Sequence, residues 1–231
     1  EGQFGPNVTI GRLKTALKKA GFDMVYETAL GGDLVSMHEA KELIENKEAG
    51  RKMTTSCCPA FVNLIQKHYP NLMEYVSTTV SPMQGNVRYI YDKHPGAYVV
   101  FIGPCIAKKQ EAEAMGAPDA VMTFEELQAL FDALGVDPEN CDEEMEPDAT
   151  SYGRRFSSTG GVSASVIKAA SELGVEGIKA RPAAGVKECK VALAMLKAGK
   201  LPEDIIEGMA CENGCISGPG SIALLAQLKA A

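Results

Sequence analysis

Three short segments of the chain share one form, in which a strand-like approach ends at a cysteine and a helix or tight turn follows. They lie at residues 55–59, 103–111 and 209–220. The second follows residues 97–103, an almost wholly apolar run that is typical of a buried parallel strand. Ligands of parallel α/β folds bind outside the carboxyl ends of the strands. The pattern therefore predicts that the three segments direct their cysteines into one crevice.

Strand and helix patterns alternate along the rest of the sequence. The spacing of apolar residues predicts helices at 8–20, 33–46, 59–69, 81–94, 108–115, 123–134, 160–173, 187–198 and 224–231. It predicts strands at 23–28, 97–103 and 119–122, with short approaches to cysteines at 53–56 and 205–209. Thr123 and Glu126 have the spacing of a helix capping box. Residues 137–152 are acidic and lack periodicity, which predicts a surface loop. The alternation favours an α/β fold, with parallel β-sheets flanked by helices in two lobes.

The composition narrows the function classes. The chain has 231 residues, 45% of them hydrophobic, which is enough for a substantial core. Its net charge is −7 and no basic block occurs, so nothing favours nucleic-acid binding. No apolar run reaches the roughly 18 residues that a membrane-spanning helix needs. The cysteine count is odd and no signal peptide is visible, which predicts a reducing, cytoplasmic location.

The cysteines offer two kinds of metal site. They stand at positions 57, 58, 105, 141, 189, 211 and 215. Four of them could bind an iron–sulfur cluster or a structural zinc ion. Zinc modules usually use two close pairs, whereas here one pair, Cys211 and Cys215, accompanies distant single positions, which favours a cluster. Any single cysteine could instead be a buried apolar residue. Cys141 and Cys189 lack the turn settings of the others, and we interpret both as structural or incidental.

The three cysteine segments resemble the three signatures of the FeFe (iron-only) hydrogenase family, in the same order. The matching segments are Thr-Ser-Cys-Cys-Pro-Ala-Phe at 55–61, Gly-Pro-Cys-Ile-Ala-Lys-Lys-Gln-Glu at 103–111, and Glu-Gly-Met-Ala-Cys-Glu-Asn-Gly-Cys-Ile-Ser-Gly-Pro-Gly at 207–220. Supporting matches lie at 21–23, 37–43, 81–82 and 156–162, so the resemblance covers nearly the whole chain. It implies that residues 1–231 form one H-cluster domain, without the family's extreme N-terminal segment or its ferredoxin-like accessory-cluster domains.

The resemblance also implies a composite cofactor, the H-cluster, in the crevice between the two lobes. Four cysteines would hold its 4Fe–4S cluster, namely Cys58, Cys105, Cys211 and Cys215. Cys215 would also bridge to a di-iron unit that carries CO, cyanide and an azadithiolate, and that maturation proteins install. Electrons would come from another domain or from a ferredoxin-like protein.

A proton relay is a further implication of the resemblance. Cys57 would be the thiol that passes protons to the azadithiolate amine, and the relay would continue through Glu39, Ser77 and Glu42. The outer arginine of the family's relay aligns near Asn46 here. Glu39 and Glu42 are three residues apart, so both lie on one helical face. Without the resemblance, the same two residues would be interpreted as solvated surface carboxylates.

The resemblance finally implies a set of residues around the di-iron unit. Lys108 would hydrogen-bond a cyanide ligand, because a buried ammonium needs such an anion, whereas Lys109 would face solvent. The pocket would be lined by Pro82, Met83, Gly103, Phe156 and Met209.

Several positions depart from the common enzymes of that family. Gly103 stands where Met is usual, Phe61 where Trp is usual, Met83 where Gln is usual and Ser157 where Gly is usual. The Gly103 change resembles sensory or divergent members. Our leading hypothesis is an enzyme that reversibly splits H2 into protons and electrons. The alternatives are a hydrogen-sensing protein with the same cofactor and low turnover, and an assembly-type relative that binds only iron–sulfur clusters.

Overall fold

The computed structural model describes residues 2–144 and 148–223. Its helices are α1 (Ile10–Lys19), α2 (Thr28–Glu48), α3 (Pro59–His68), α4 (Pro82–Lys93), α5 (Ala107–Met115), α6 (Phe124–Leu134), α7 (Ser151–Arg155), α8 (Gly161–Glu172) and α9 (Val186–Lys197). Its strands are β1 (Met53–Thr54), β2 (Val100–Ile102), β3 (Ala120–Met122), β4 (Ala180–Ala184) and β5 (Ile205–Met209). Short 3-10 helices lie at Pro70–Tyr75, Pro138–Asn140 and Cys215–Ser217.

These elements form two compact units. The first is built from the described residues of 1–27, 98–148 and 216–223, and the second from residues 28–97 and 149–215. Within residues 2–144 and 148–223, no helix has the length and apolar character needed to cross a membrane.

The first unit contains a two-stranded parallel sheet, in which β2 pairs with β3 and Phe101 lies opposite Val121. Helix α6 begins after Thr123, whose hydroxyl accepts from the Glu126 backbone N–H while the Glu126 carboxylate accepts from the Thr123 N–H. The predicted capping box is therefore confirmed. Apolar side chains of α1, α6 and both strands form the core of this unit; they include Leu17, Ile102, Met122, Leu127 and Phe131.

The second unit contains a three-stranded sheet between two layers of helices. All its strands are parallel, and β5 lies between β1 and β4. Successive side chains of a strand point to opposite faces of the sheet. Ile205 and Met209 therefore pack with residues of α2 and α8, whereas Ile206 packs with residues of α3 and α9. This arrangement sets the carboxyl ends of β1 and β5 side by side, where two of the cysteine segments begin.

The predicted fold class, parallel β-sheets flanked by helices, is confirmed. The predicted strand at 23–28 is wrong, because residues 22–27 are irregular and helix α2 begins at Thr28. Met24 in that segment is 54% exposed, so the segment lacks the burial that its apolar residues suggested. The predicted loop at 137–152 contains the 3-10 helix Pro138–Asn140 and ends in the first turn of the short helix α7. The predicted helix at 224–231 lies outside the described residues.

Strand β4 has no counterpart among the predicted strands. Its sequence, Ala-Arg-Pro-Ala-Ala, contains no β-branched or aromatic residue, which are the residues enriched in strands. Proline also lacks the N–H that a central strand needs. Pro182 is tolerated because β4 lies at the edge of its sheet, where one side of the strand needs no partner.

Candidate metal centre and proton relay

Two of the three cysteine segments leave neighbouring parallel strands of the second unit at the same edge. Cys57 and Cys58 follow β1, and Cys211 follows β5. The Thr55 N–H donates to the Ile206 carbonyl at 2.9 Å, and the Thr55 hydroxyl accepts from a β5 N–H at 3.2 Å. The pairing thus continues almost to the cysteines. It confirms for these two segments that the sheet delivers them to one edge.

Cys58 occupies the N-cap position of helix α3, in extended geometry with φ −99° and ψ 106°. Pro59 is the first helical residue. Proline favours this position because its φ is fixed near the helical value and because its missing N–H would have no partner inside the helix. The Cys58 side chain makes no capping hydrogen bond to the helix. A sulfur at this position lies at the positive end of the helix dipole, which stabilises a thiolate and the negative charge of a cluster.

The segment between Cys211 and Cys215 is a tight left-handed turn. Asn213 has φ +64° and Gly214 has φ +89°, and the Gly214 N–H donates to the Cys211 carbonyl at 3.2 Å. A Cβ atom on Gly214 would lie 2.6 Å from the Ser157 carbonyl oxygen, which is backbone and cannot easily move. The turn therefore requires glycine both for its φ and for the close approach of the neighbouring loop.

Replacing Gly214 with alanine is expected to lower the free energy of unfolding by at least about 2 kcal/mol, because a positive φ and a backbone clash both oppose the methyl group. Gly50 is the matched control: its φ is +68° and nothing lies within 4 Å of the position that a methyl group would take. Gly50→Ala should cost only about 1 kcal/mol, the left-handed penalty alone. Chemical denaturation of both variants measures the difference. Equal losses would contradict the close packing at Gly214.

The third cysteine segment belongs to the first unit. Cys105 follows β2 and is partly buried. The Gly103 N–H donates to the Met122 carbonyl at 3.0 Å, so the β2–β3 pairing reaches almost to the cysteine. The Pro104 carbonyl accepts from the Gly220 N–H at 2.9 Å. The structure thus places Cys105 after a strand, as predicted. That Cys105 binds one cluster together with Cys58, Cys211 and Cys215 of the second unit stays a prediction.

Two further predicted residues lie in the first unit. Lys108, in the first turn of α5, is 8% exposed, and its ammonium lies 2.6 Å from the Glu111 carboxylate. Lys109 is more exposed and pairs with Glu126. The ring of Phe101 fills the space beside Gly103, since a Cβ there would lie 2.9 Å from the ring. A larger residue at position 103 would therefore displace this ring.

Cys57 lies in the second unit among apolar residues. It is partly buried and packs against the cluster that contains Phe156 and Met209. Burial raises the pKa of the Cys57 thiol well above its usual range, and the negative charges of Glu39, Cys58 and Cys215 raise it further. The structure therefore brings Cys57 into the neighbourhood of two predicted cluster ligands and of the first predicted relay carboxylate.

Glu39, Ser77 and Glu42 form one connected group in the second unit. The Ser77 hydroxyl lies 2.6 Å from a Glu42 carboxylate oxygen, and it also hydrogen-bonds Glu39. Ser77 is held in place by the sheet, because its N–H donates to the Thr54 carbonyl of β1 at 2.8 Å. Glu39 is 2% exposed, so the alternative interpretation as a surface carboxylate is wrong for this residue. We call Glu39, Ser77 and Glu42 the inner relay.

Glu39 is an unusual buried acid. Burial raises its pKa from 4.5 to about 8, and the nearby charge of Glu42 contributes in the same direction. Hydrogen bonds from the Ser56 backbone and the Ser77 hydroxyl oppose this rise. Among the described residues, its Oε1 atom has no hydrogen-bond partner. Glu39 therefore carries a proton at neutral pH, and its Oε1 atom can still form a hydrogen bond.

The proton on Glu39 predicts a pH dependence of stability. The folded chain keeps this proton up to about pH 8, whereas the unfolded chain loses it near pH 4.5. The unfolded state binds fewer protons between these values, so stability should fall as the pH rises through this window, by at most about 5 kcal/mol. Glu39→Gln should remove this fall, and Glu48→Gln, at an exposed position of the same helix, should not. Urea denaturation across the window tests both; identical pH profiles would be the contrary result.

The predicted pocket residues of the second unit are largely buried. Met83, Phe156 and Met209 are 1%, 7% and 2% exposed, and Pro82 opens helix α4 at its first position. Phe156 and Met209 share an apolar cluster with Cys57. Met83 lies in the first turn of α4, behind the Ser81 cap.

One site-supporting residue escaped the sequence analysis. Glu207 in β5 is fully buried, and its carboxylate accepts from the Gly160 N–H at 2.7 Å and the Ser163 N–H at 2.8 Å, which caps helix α8. A carboxylate inside an apolar strand was the available signal, because it needs such partners. Cys189 is also fully buried, and its thiol donates to the carbonyls of Ala183 and Met209. Burial and the charge of Cys58 raise its pKa to about 12, which agrees with the interpretation of Cys189 as a structural or incidental residue.

The cysteine residues present suit the ligand chemistry of an iron–sulfur cluster. No group of three or more His, Cys, Asp and Glu side chains in residues 2–144 and 148–223 is arranged to hold one metal ion. A four-iron cluster instead takes cysteine sulfurs on separate irons, which suits thiols spread over two strand ends and a turn. The cap position of Cys58 and the unpartnered Oε1 of Glu39 agree with a cofactor in this part of the second unit.

Comparison with known proteins agrees with this chemistry. A family model described as "Iron only hydrogenase large subunit, C-terminal domain" matches residues 1–219. Iron hydrogenase 1 of Clostridium pasteurianum is 30% identical to this chain, over 94% of the chain and 46% of the relative. The periplasmic Fe hydrogenase large subunit of Nitratidesulfovibrio vulgaris is 30% identical, over 97% of this chain and 65% of the relative. The chain thus spans about half to two thirds of these relatives.

Other similar proteins include an assembly factor and a solved hydrogenase structure. A probable cytosolic Fe–S cluster assembly factor of Aedes aegypti is 26% identical, over 94% of this chain and 58% of that protein. The structure of an apo FeFe-hydrogenase HydA1 variant from Chlamydomonas reinhardtii has a TM-score of 0.78 and 25% identity, covering 98% of this chain and 78% of that chain.

Proposed function

Because the chain belongs to the family formed by the C-terminal domain of iron-only hydrogenases, we propose that it is the active-site domain of an FeFe hydrogenase, which interconverts H2 with protons and electrons. One observation carries the proposal beyond family membership. Cys57 lies near Cys58 and Cys215 and near the buried acid Glu39, so two of the proposed cluster ligands and a proton source belong to the same unit.

The cofactor of this proposal is the H-cluster. Cys58, Cys105, Cys211 and Cys215 would hold its 4Fe–4S cluster, and Cys215 would also bind the di-iron unit. The H-cluster supplies the redox chemistry at which H2 is split or formed. The protein contributes ligand sulfurs, exclusion of water and proton transfer. Maturation proteins that install the di-iron unit and a ferredoxin-like electron partner, or an attached electron-transfer domain, complete the proposal.

The proton moves along the side chains of the second unit. Cys57 remains a thiol at neutral pH, because burial and neighbouring negative charges raise its pKa. Glu39 is protonated at neutral pH and supplies the proton that replaces one released by Cys57. Ser77 donates to Glu42 and hydrogen-bonds Glu39, so its hydroxyl passes protons between the two carboxyl groups. The burial of Glu39 and Ser77 keeps this route away from bulk water along most of its length.

The remaining predicted residues have supporting roles in this proposal. Lys108 would offer an ammonium donor to a cyanide ligand, and the Glu111 carboxylate pairs with that ammonium. Met83, Phe156 and Met209 would exclude water from the reacting centre. Pro82 would line the same pocket from the start of α4.

Infrared spectroscopy of the chain after anaerobic maturation tests this function, because CO and cyanide ligands absorb where proteins do not. CO and cyanide bands together with H2 evolution are the expected result. An iron–sulfur cluster without these bands would support instead the assembly-type role suggested by the Aedes aegypti relative. A chain without any cluster would refute both functions.

Hydrogen sensing is a second candidate, and Gly103 favours it. In place of the Met of the common enzymes, this chain has glycine, with the Phe101 ring in the adjoining space. Sensing predicts the same infrared bands with turnover far below that of a dedicated enzyme. The two candidates therefore differ in rate and share one cofactor.

A further inference from the structure

The outer end of the inner relay differs from what the sequence predicts. Glu42 is partly buried, and three groups of the loop 77–79 donate to its carboxylate. The Thr78 N–H lies 2.8 Å from Oε1, while the hydroxyls of Ser77 and Thr79 lie 2.6 Å and 3.2 Å from Oε2. Two of these donors are hydroxyl groups, which can both give and accept protons.

The family's outer arginine aligns near Asn46. The Asn46 side chain hydrogen-bonds groups other than the Glu42 carboxylate. Its Nδ2 donates to the backbone carbonyl of Glu42 at 2.9 Å and to the Met53 sulfur at 3.6 Å. A side-chain amide is neither a useful acid nor a useful base near neutral pH. Asn46 therefore supports helix α2 and its contact with β1, and does not extend the relay.

Thr79, unlike Asn46, contacts the Glu42 carboxylate with its side chain. Ser77 is 5% exposed and Glu39 is 2% exposed, whereas Thr79 is partly exposed and its neighbour Thr78 is exposed. The Thr79 backbone is held on both sides, since its N–H donates to the Ser77 hydroxyl at 3.1 Å and its carbonyl accepts from the Ser56 hydroxyl. Its hydroxyl thus donates to Glu42 from a residue that is partly exposed to solvent.

We propose that the Thr79 hydroxyl is the outer relay group that connects Glu42 with solvent, in the role that the family resemblance implies for an outer arginine. The inference rests on the proposed function. For proton uptake, a hydronium ion gives a proton to the Thr79 oxygen while the original Thr79 hydroxyl proton passes to the Glu42 carboxylate. Water and neutral threonine are left behind, and Glu42 is protonated. For proton release the same steps run in reverse.

Hydrogen–deuterium exchange at the Glu39 carboxyl group measures this route without any H2 chemistry. With a pKa of about 8, Glu39 carries a proton at about pH 6. The infrared carbonyl band of Glu39 is identified by its absence in the Glu39→Gln variant. This band shifts when deuterium replaces the carboxyl proton after mixing with D2O. The purified 231-residue chain, before any di-iron unit is installed, is sufficient for the measurement.

Thr79→Val is expected to slow this exchange by about tenfold or more, because the variant keeps the shape of threonine and loses the relay hydroxyl. Thr79→Ser should restore the wild-type rate. Thr78→Val is the matched control. It keeps the backbone N–H that donates to the Glu42 carboxylate, and the Glu39 proton should exchange at the wild-type rate in this variant. The stability of each variant, measured by thermal unfolding, should remain close to that of wild type.

Exchange in Thr79→Val at the wild-type rate would overturn the proposal, because Glu42 would then reach water by itself. Slowed exchange in Thr79→Val that Thr79→Ser does not restore would also overturn it, since the effect would be structural. The proposed function fails by a different result, namely the absence of CO bands and H2 turnover in the matured wild type. The two failures are therefore separable, and in a matured chain that turns over H2 the Thr79→Val rate should fall with the exchange rate.

Discussion

Replacing Cys211 with alanine is expected to abolish the visible absorption of an iron–sulfur cluster, whereas replacing Cys189 with alanine is expected to leave it. Anaerobically reconstituted wild type should hold about four irons per chain. Cys211 stands where β1 and β5 end, beside the Cys58 segment, and a four-cysteine cluster needs a thiolate on each iron. Cys189 is fully buried in α9 and donates to two carbonyl groups, so it is not available to iron.

Iron analysis and absorption spectra of the two variants provide the measurement. Cys105→Ala should behave like Cys211→Ala, with Cys141→Ala as its control inside the first unit, where Cys141 is 5% exposed and lies in the core. Stoichiometric zinc without a recoverable iron cluster would contradict the assignment. Loss of the cluster in Cys189→Ala while Cys211→Ala retains it would do the same.

The positions of the cysteine segments could be predicted from the sequence because they depend on short-range patterns. A buried parallel strand reads as an apolar run, and proline at the first helical position follows Cys58 directly. The strand ends, the helix start and the sulfur then follow from neighbouring residues alone. Strand β4 could not be found in this way, because its Ala-Arg-Pro-Ala-Ala sequence forms a strand only by pairing with β5.

The burial of the inner relay depends on long-range packing, and this is why the sequence left two interpretations of Glu39. Helix α2 contacts α4, α7 and α8, so it is covered on several sides and has no single apolar face. Ser36 and Glu39 are buried along with Val35 and Leu43. Helical periodicity identifies one buried stripe, and it fails for a helix that is enclosed in this way.

The outer end of the relay shows a further limit of sequence reasoning. The family resemblance points to Asn46, one turn beyond Glu42 on the same helix. The hydroxyl that contacts the Glu42 carboxylate comes instead from Thr79, 37 residues away along the chain. The contact exists because Ser77 is held by β1 through its hydrogen bond to Thr54, which places the loop over α2. Only the three-dimensional packing brings these residues together.

Replacing Cys57 with alanine is expected to keep the iron–sulfur cluster and to lower H2 turnover by at least about a hundredfold, the scale of a lost general acid. The adjacent residues separate the two roles, because Cys58 occupies the N-cap position of α3 and is assigned to iron, whereas Cys57 packs with Phe156 and Met209 beside the protonated Glu39. Cys58→Ala is therefore the matched variant, and it should lose the cluster itself. Iron content, infrared bands and H2 evolution are measured on both matured variants. Undiminished H2 evolution in Cys57→Ala would show that protons bypass this thiol, and equal cluster loss in the two variants would show that both sulfurs belong to the metal site.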